Sequence, residues 1–196
     1  MRRVIRGLIV VPLVTIIVSL FHAPAAHAGI WQLNDGFEYN PTATWACWHT
    51  IDDPEYVNGC RLPYLDAPNP HGGTTTSWIQ GHSGWSDIGR TVSITPYRAG
   101  RTMTCAAQIY GRMITGGTQL NGQLQVIDSA TWRYTSIKKF TLTKANDLLK
   151  WRAITTASWV PAGKDVYIRI GIDGENIDNQ VDALELDDLI VQCQYT

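Results

Sequence analysis

Two-residue alternation of apolar and polar side chains is the feature that most narrows what this chain can become. Met103, Cys105, Ala107 and Ile109 fall on one side of a run whose other side carries Thr104, Ala106, Gln108 and Tyr110. Leu124 and Val126 alternate with Gln123 and Gln125, and Val166, Ile168, Ile170 and Ile172 alternate with Tyr167, Arg169 and Gly171. Successive side chains of a strand point to opposite faces, so this period sends one face of each segment into a core and the other into water. Antiparallel sheets with one solvated face have this character. Turn-forming residues punctuate the pattern at Pro96 to Gly100, Gly116-Gly117, Asn121-Gly122, Pro161 to Gly163 and Asp173 to Asn179, a spacing suited to a sandwich or jelly roll. Past residue 28 no apolar 3.6-residue period stands out, and only Thr143 to Trp151 suits a helical turn. The expected fold is all-β, an antiparallel sandwich of jelly-roll type.

Ahead of this pattern, Arg2, Arg3 and Arg6 precede an apolar run from Leu8 to Phe21 and a small-residue stretch ending Ala26-His27-Ala28. That is the layout of a secretory signal. The run falls short of the roughly 20 apolar residues a spanning helix needs, and Pro12 interrupts it. Residues 1–28 are therefore read as a signal peptide and 29–196 as one secreted domain, long enough for a single core. The signal holds three of the 16 Lys and Arg and none of the 17 Asp and Glu, leaving 13 basic against 17 acidic residues and a net charge of −4. With no basic run, the chain is expected to bind no nucleic acid, and no membrane once the signal is removed.

Cys47, Cys60, Cys105 and Cys193 all lie in the exported part, where an oxidising compartment favours disulfides. Three pairings are possible. The favoured one joins Cys47 to Cys60 across a local loop and Cys105 to Cys193 between distant strand-like segments. Residues 39–73 are rich in Trp, Pro and Asn with little periodicity, and are read as a surface excursion stapled by Cys47 and Cys60.

Several landmarks follow one another in a telling order. Asn34-Asp35-Gly36-Phe37-Glu38 opens the domain, Gly72-Gly73 leads into a strand ending at Gln80, and Gly81-His82-Ser83-Gly84-Trp85 follows as a Trp-bearing turn. Gly100 precedes a strand, Trp151 opens another that ends in Pro161-Ala162-Gly163, and Leu186-Asp187-Asp188-Leu189 closes the chain. In this order they resemble the jelly-roll carbohydrate-binding modules of the cellulose- and xylan-binding kind, families four, nine and twenty-two, with a galactose-binding-like β-sandwich. The resemblance covers nearly all of residues 29–196; the insertion at 39–73 departs from it, as does the expectation of a lone module with no attached catalytic domain.

The resemblance implies a structural calcium held by the Glu of the first motif and an Asp of the last, here Glu38 and Asp187, with the carbonyl of Gly36 helping to complete the shell. Calcium takes about six to eight oxygens from carboxylates and carbonyls. It also implies a sugar-stacking Trp at Trp85 and a second aromatic at Tyr134, beside Trp132. Sugars present apolar CH faces ringed by hydroxyls, which aromatic rings and side-chain amides complement. Gln108, Tyr110, Gln123 and Gln125 lie on the non-core sides of their strands and are expected to supply an amide-rich surface, with Arg90 and Arg169 as weaker candidates.

His49, His71 and His82 are scattered, with no HExxH or GxSxG context, and Asp173, Glu175 and Asp178 read as a loop rather than the carboxylate pair of a glycosidase. The function expected is therefore secreted, non-catalytic polysaccharide binding. The alternative is a secreted interaction, inhibitor or adhesion protein in which Trp45 and Trp48, on the stapled loop, anchor a protein partner.

Overall fold

The alternating segments form two antiparallel sheets. A computed structural model describes residues 29–38, 41–49, 59–65, 69–81, 83–175 and 181–196; the expected signal peptide, His82 and Asp178 lie outside them. In sheet I, β3 (Gly59–Leu65), β4 (Thr75–Gly81), β11 (Asp182–Tyr195), β6 (Met103–Thr115) and β9 (Arg152–Thr155) lie side by side, and β1 (Gly29–Asp35) also pairs with β11. In sheet II the order is β2 (Ala46–His49), β5 (Ser83–Ser93), β10 (Asp165–Glu175), β7 (Gln119–Asp128) and β8 (Tyr134–Thr143).

The sheets face each other across the residues that the alternation marks as apolar. Met103, Cys105, Ala107, Ile109, Leu124, Val126, Val166, Ile168, Ile170 and Ile172 are each no more than 2% exposed. Burying one such Val, Ile or Leu side chain stabilises the fold by about 1.5–3 kcal/mol relative to leaving it in water. Both expected disulfides form. Cys105 and Cys193 are directly opposed in β6 and β11 and buried in the core. Cys47 and Cys60 join the edge strand of sheet II to the edge strand of sheet I.

Four expectations need correction. The stretch 39–73 is more than a surface excursion: it supplies one helical turn, α1 (Pro41–Thr44), and the edge strands β2 and β3. An edge strand is half-covered at best, and β2 is exposed at three of its four positions, so no alternation marks it. Asn121-Gly122 is not a turn but lies inside β7; a Cβ at Gly122 would collide with the Phe140 ring, so glycine is needed there for packing. Asp173 lies in β10, and Trp85 lies in β5 rather than in a turn. The helical turn expected within Thr143 to Trp151 is present as α2 (Lys144–Asp147).

One topological detail positions the acidic motifs. The first half of β11 pairs with β4 through Leu186, and the second half pairs with β1 from Leu189 onward. Asp187 and Asp188 occupy the step where β11 exchanges one neighbour for the other. On its opposite side the register with β6 also shifts between Asp187 and Ile190.

Candidate functional site

Among the described residues, two polar constellations bear on function. The first fills the break between the end of β1 and the start of β4. Asp187 is completely buried; its Oδ2 accepts the Gly72 amide at 2.9 Å and its Oδ1 accepts the Asp188 amide at 2.8 Å. Burial, opposed by the Gly72 amide and reinforced by the neighbouring Asp188 charge, pushes its carboxyl up to about 6. Asp188 adopts a left-handed backbone, φ 47°, and its Oδ2 meets His71 Nδ1 at 2.7 Å.

Glu38 caps the same turn. Its two oxygens accept the amides of Thr74 and Thr75, both at 2.6 Å, and their hydroxyls at 3.0 and 3.1 Å. Desolvation raises this carboxyl, but the four hydrogen bonds outweigh it and hold it below the usual carboxylate range. Absent side chains keep the space open: a Cβ at Gly36 would lie 3.1 Å from Asp188 Oδ1, one at Gly72 2.6 Å from Asp188 Oδ2, and one at Gly73 would collide with Glu38 Oε1.

This donor set suits a hard cation in part. Asp187 offers a buried carboxylate beside a second one, the setting in which a cation relieves desolvation and like-charge repulsion. Glu38 already uses the roughly four acceptor sites a carboxylate has, so it would join a shell only by releasing Thr74 or Thr75. Among the described residues no three His, Cys, Asp or Glu side chains group closely enough to hold a metal by themselves; backbone carbonyls such as that of Gly36 would have to complete the shell.

The second constellation covers the outer face of sheet II. Strand register sets it out in rows: Trp85, Asp173, Asn121 and Thr141; then Asp87, Gly171, Gln123 and Lys139; then Gly89, Arg169, Gln125 and Ile137; then Thr91, Tyr167, Ile127 and Tyr134. Arg169 is its hub. Its Nε donates to Gln125 Oε1 at 2.7 Å, its Nη2 to Tyr134 Oη at 3.1 Å, and its Nη1 lies 3.6 Å from Asp87 Oδ2. Gln125 Nε2 donates in turn to Gln123 Oε1 at 2.8 Å.

Trp85 is fixed to the same network. Its indole N–H donates to Asp87 Oδ2 at 2.5 Å, and the Arg169 guanidinium lies 6.0 Å from its ring centre, within reach of a cation–π attraction. Desolvation raises the Asp87 carboxyl, and the Trp85 N–H and Arg169 offset part of that rise. A cavity of about 270 Å³ opens beside Trp85, lined also by Asn121, Gln123, Lys139, Thr141 and Asp173. Tyr134 and Trp132 are 55% and 66% exposed.

Of the expected binding residues, Trp85, Tyr134, Gln123 and Gln125 thus share one hydrogen-bonded face, with Trp132 at its margin. Gln108 and Tyr110 do not. Both lie in β6 of sheet I, where Gln108 accepts the Thr155 hydroxyl at 3.0 Å and Tyr110 stacks on His71 at 3.5 Å between ring centres. Alternation tells which side of a strand is wet but not which sheet it joins, hence that misplacement. Arg90 is turned away too, pairing with Asp35 of β1, which also accepts the Trp45 indole N–H at 2.9 Å. Asp87, Tyr167, Lys139 and Thr141 are among the residues of this face that the sequence did not single out.

Trp45 is only 4% exposed and packs on Phe37 at 4.7 Å, so it cannot be an interface anchor. Trp48 is 53% exposed and lies opposite Asp87, on the flank of the sheet II face. His49 is opposite Ser86, but Ser86 is fully buried, and a substrate has no access to that pair.

No family model matches the sequence, and no match was found among curated proteins. Solved structures do match. The xylan-binding domain from carbohydrate-binding module family 22, formerly called x6b, is 15% identical and aligns over 81% of this chain and 92% of its own, with a TM-score of 0.54. The C-terminal family 22 module of Clostridium thermocellum Xyn10B is 15% identical over 81% and 91%, with a TM-score of 0.53. The K1 cleaved adhesin domain of Lys-gingipain from Porphyromonas gingivalis W83 is 11% identical over 82% and 97%, with a TM-score of 0.51. The chain has the jelly-roll fold of carbohydrate-binding modules, as its ordered motifs indicate.

Proposed function

We propose that this protein is a secreted, non-catalytic polysaccharide-binding protein whose site is the outer face of sheet II. The observation that carries the reading is the network joining Trp85, Asp87, Arg169, Gln125, Gln123 and Tyr134: aromatic surface bordered by fixed donors and acceptors. Aromatic rings complement the CH faces of pyranoses, and pre-organised amides and guanidinium complement their hydroxyls. Structural neighbours that are xylan-binding modules support a polysaccharide as the partner, as an analogy of fold. The two disulfides support an extracellular location, with residues 1–28 as the export signal.

At the other constellation we place a structural calcium, held by Asp187 and the Gly36 carbonyl, with Glu38 recruited from Thr74 and Thr75. Such an ion stabilises the fold by mass action and takes no part in sugar binding.

Affinity electrophoresis of residues 29–196 through gels containing xylan, β-glucan, mannan or galactan, with pull-downs on cellulose and chitin, tests the binding reading. Retardation by one glycan, lost in Trp85→Ala, is the expected result. A folded protein that binds none of them would remove the reading and turn attention to Trp48 as a protein contact.

A further inference from the structure

Among the described residues five strands stand at sheet edges, β1, β2, β3, β8 and β9, and four of them are guarded against further pairing. β2 and β9 have only four residues each, and β9 carries an exposed Arg152. β3 contains Pro63, which has no N–H to offer, and its register with β4 shifts between Arg61 and Tyr64. β8 is longer but holds Lys138 and Lys139, both exposed. Shortness, proline, irregular register and charge all keep an edge strand from taking on another chain.

β1 has none of these. Gly29-Ile30-Trp31-Gln32-Leu33-Asn34-Asp35 is seven residues long, pairs with β11 without a break in register, and has no proline and no charged side chain before Asp35. β11 is its one strand neighbour among the described residues. Its apolar side chains are incompletely covered: Ile30 is 65% exposed, and Trp31 and Leu33 pack against the core yet stay only partly buried. The outer face of sheet I around it is uncharged, with Gln32 and Asn34 beside Gln192 and Gln194 of β11 and Thr104, Ala106 and Gln108 of β6.

We propose that β1 is a self-association edge, at which two copies of this chain join β1 to β1 antiparallel about a two-fold axis and make one continuous sheet of both copies of sheet I. With the strands fully overlapped the axis passes at Gln32. Trp31 then lies beside Leu33 of the second copy and Ile30 beside its Asn34, and each contact occurs twice, as a two-fold interface requires.

The ends of β1 favour the antiparallel arrangement. At the Gly29 end the Tyr195 ring lies against the glycine, and the Arg101 guanidinium is 4.7 Å from the centre of that ring. At the other end Asp35, Glu38, Asp187 and Asp188 gather around Gly36, offset in part by Arg90 and His71. A two-fold axis sets the basic end of one copy against the acidic end of the other, whereas parallel pairing would set like ends together. One strand edge is a small interface of the weak, reversible class.

Such an axis runs along the sheet normal, so sheet II of both copies lies on the same side of the joined sheet. The inter-strand twist of roughly 20–25° fans the two outer faces apart without turning them from each other's direction. On the polysaccharide-binding reading above, the pair is bivalent toward a glycan surface and gains retention through effective concentration; the pairing itself does not depend on that reading.

Sedimentation of residues 29–196 over a concentration series tests the pairing. The unaltered protein should pass from monomer to dimer. Gln32→Lys and Gln32→Glu should each raise the dissociation constant about fivefold or more, because like charges then oppose each other at the axis, and an equimolar mixture of the two should dimerise again. Gln32 is exposed and bonds only to exposed Asn34 and Gln192, so melting curves should show both variants folded. Hydrogen exchange needs no substitution: in the unaltered protein the β1 amides that face away from β11 should slow as concentration rises. A monomer at every concentration, a dimer that survives both substitutions, a mixture that stays monomeric, or β1 exchange that ignores concentration would overturn the pairing. Equal retention of unaltered protein and Gln32→Lys on insoluble polysaccharide would overturn the bivalent use of it, and absence of glycan binding by both would overturn the sugar reading and not the pairing.

Discussion

The outer faces of the two sheets follow the same pleat and come to opposite ends. On sheet I, Arg112 Nε donates to Glu185 Oε2 at 2.6 Å and Thr76 donates to Glu185 Oε1 at 2.8 Å. Arg112 and Glu185 are 4% and 1% exposed. Trp151 lies over Arg112 at 4.7 Å from its ring centre and is tied by its indole N–H to the Asn69 carbonyl at 3.0 Å, while His71 stacks on Tyr110 nearby. Segment 69–74 thus runs over sheet I and its polar groups satisfy one another. On sheet II the polar groups are joined into a network around rings that stay partly in solvent. The same alternation gives a closed face, where segment 69–74 lies against Trp151 and Tyr110, and a more open one, where Tyr134 is 55% exposed although Asp87 and Gln125 are as buried as Glu185 and Arg112.

Breaking the closed face should cost stability and leave binding alone; breaking the open one should do the reverse. Glu185→Ala is the most severe case. It removes the buried carboxylate that pairs with the Arg112 guanidinium, and breaking a buried pair typically costs about 3–5 kcal/mol, to be read from denaturant unfolding, while the folded fraction still binds glycan. Next, replacing Cys47 and Cys60 by Ser opens a bridge with a sequence separation of 13 and should cost about 3 kcal/mol on the loop-entropy account. Because β2 flanks the open face, this variant alone should weaken both stability and binding. Trp85→Ala should lower affinity about thirtyfold, or about 2 kcal/mol, with a small change in melting temperature. If Trp85→Ala instead unfolds the domain and Glu185→Ala abolishes binding by folded protein, the division between the faces is wrong.

A further expected effect concerns pH. Asp187, pushed up to about 6, binds its proton more tightly folded than unfolded. Its contribution is complete below the unfolded value near 3.9 and is lost as pH rises through about 6, so in chelator stability should fall between about pH 4 and 6 by at most about 1.4 kcal/mol per unit. Calcium should flatten that slope by taking the proton's place, and Asp187→Asn should flatten it without calcium. Melting curves that respond to neither would remove the ion site.

Much of this was legible in the chain. Periodicity named the core residues of β6, β7 and β10, and motif order named the fold. The edge strands escaped, since β2 and β3 each have one sheet neighbour and β2 is exposed at three of its four positions, which leaves no alternation to read. Gln108 and Tyr110 were assigned to the wrong surface because a wet face is a property of one strand, whereas a site belongs to neighbouring strands. Asp87 and Tyr167 could have been found by comparing Trp85-Ser86-Asp87-Ile88-Gly89 with Tyr167-Ile168-Arg169-Ile170-Gly171. That match acquires meaning only once the two segments are known to be antiparallel neighbours.

The position of β11 has a consequence for assembly. It pairs with β4, β1 and β6, all of them made earlier, and the partner from β1, Gly29 opposite Tyr195, is most distant of all in sequence. Until β11 emerges from synthesis, sheet I exists only as separate pieces, β3 with β4 and β6 with β9. Contacts of such long sequence separation make folding slow and late. The strand that carries Asp187 is the one whose arrival closes the molecule.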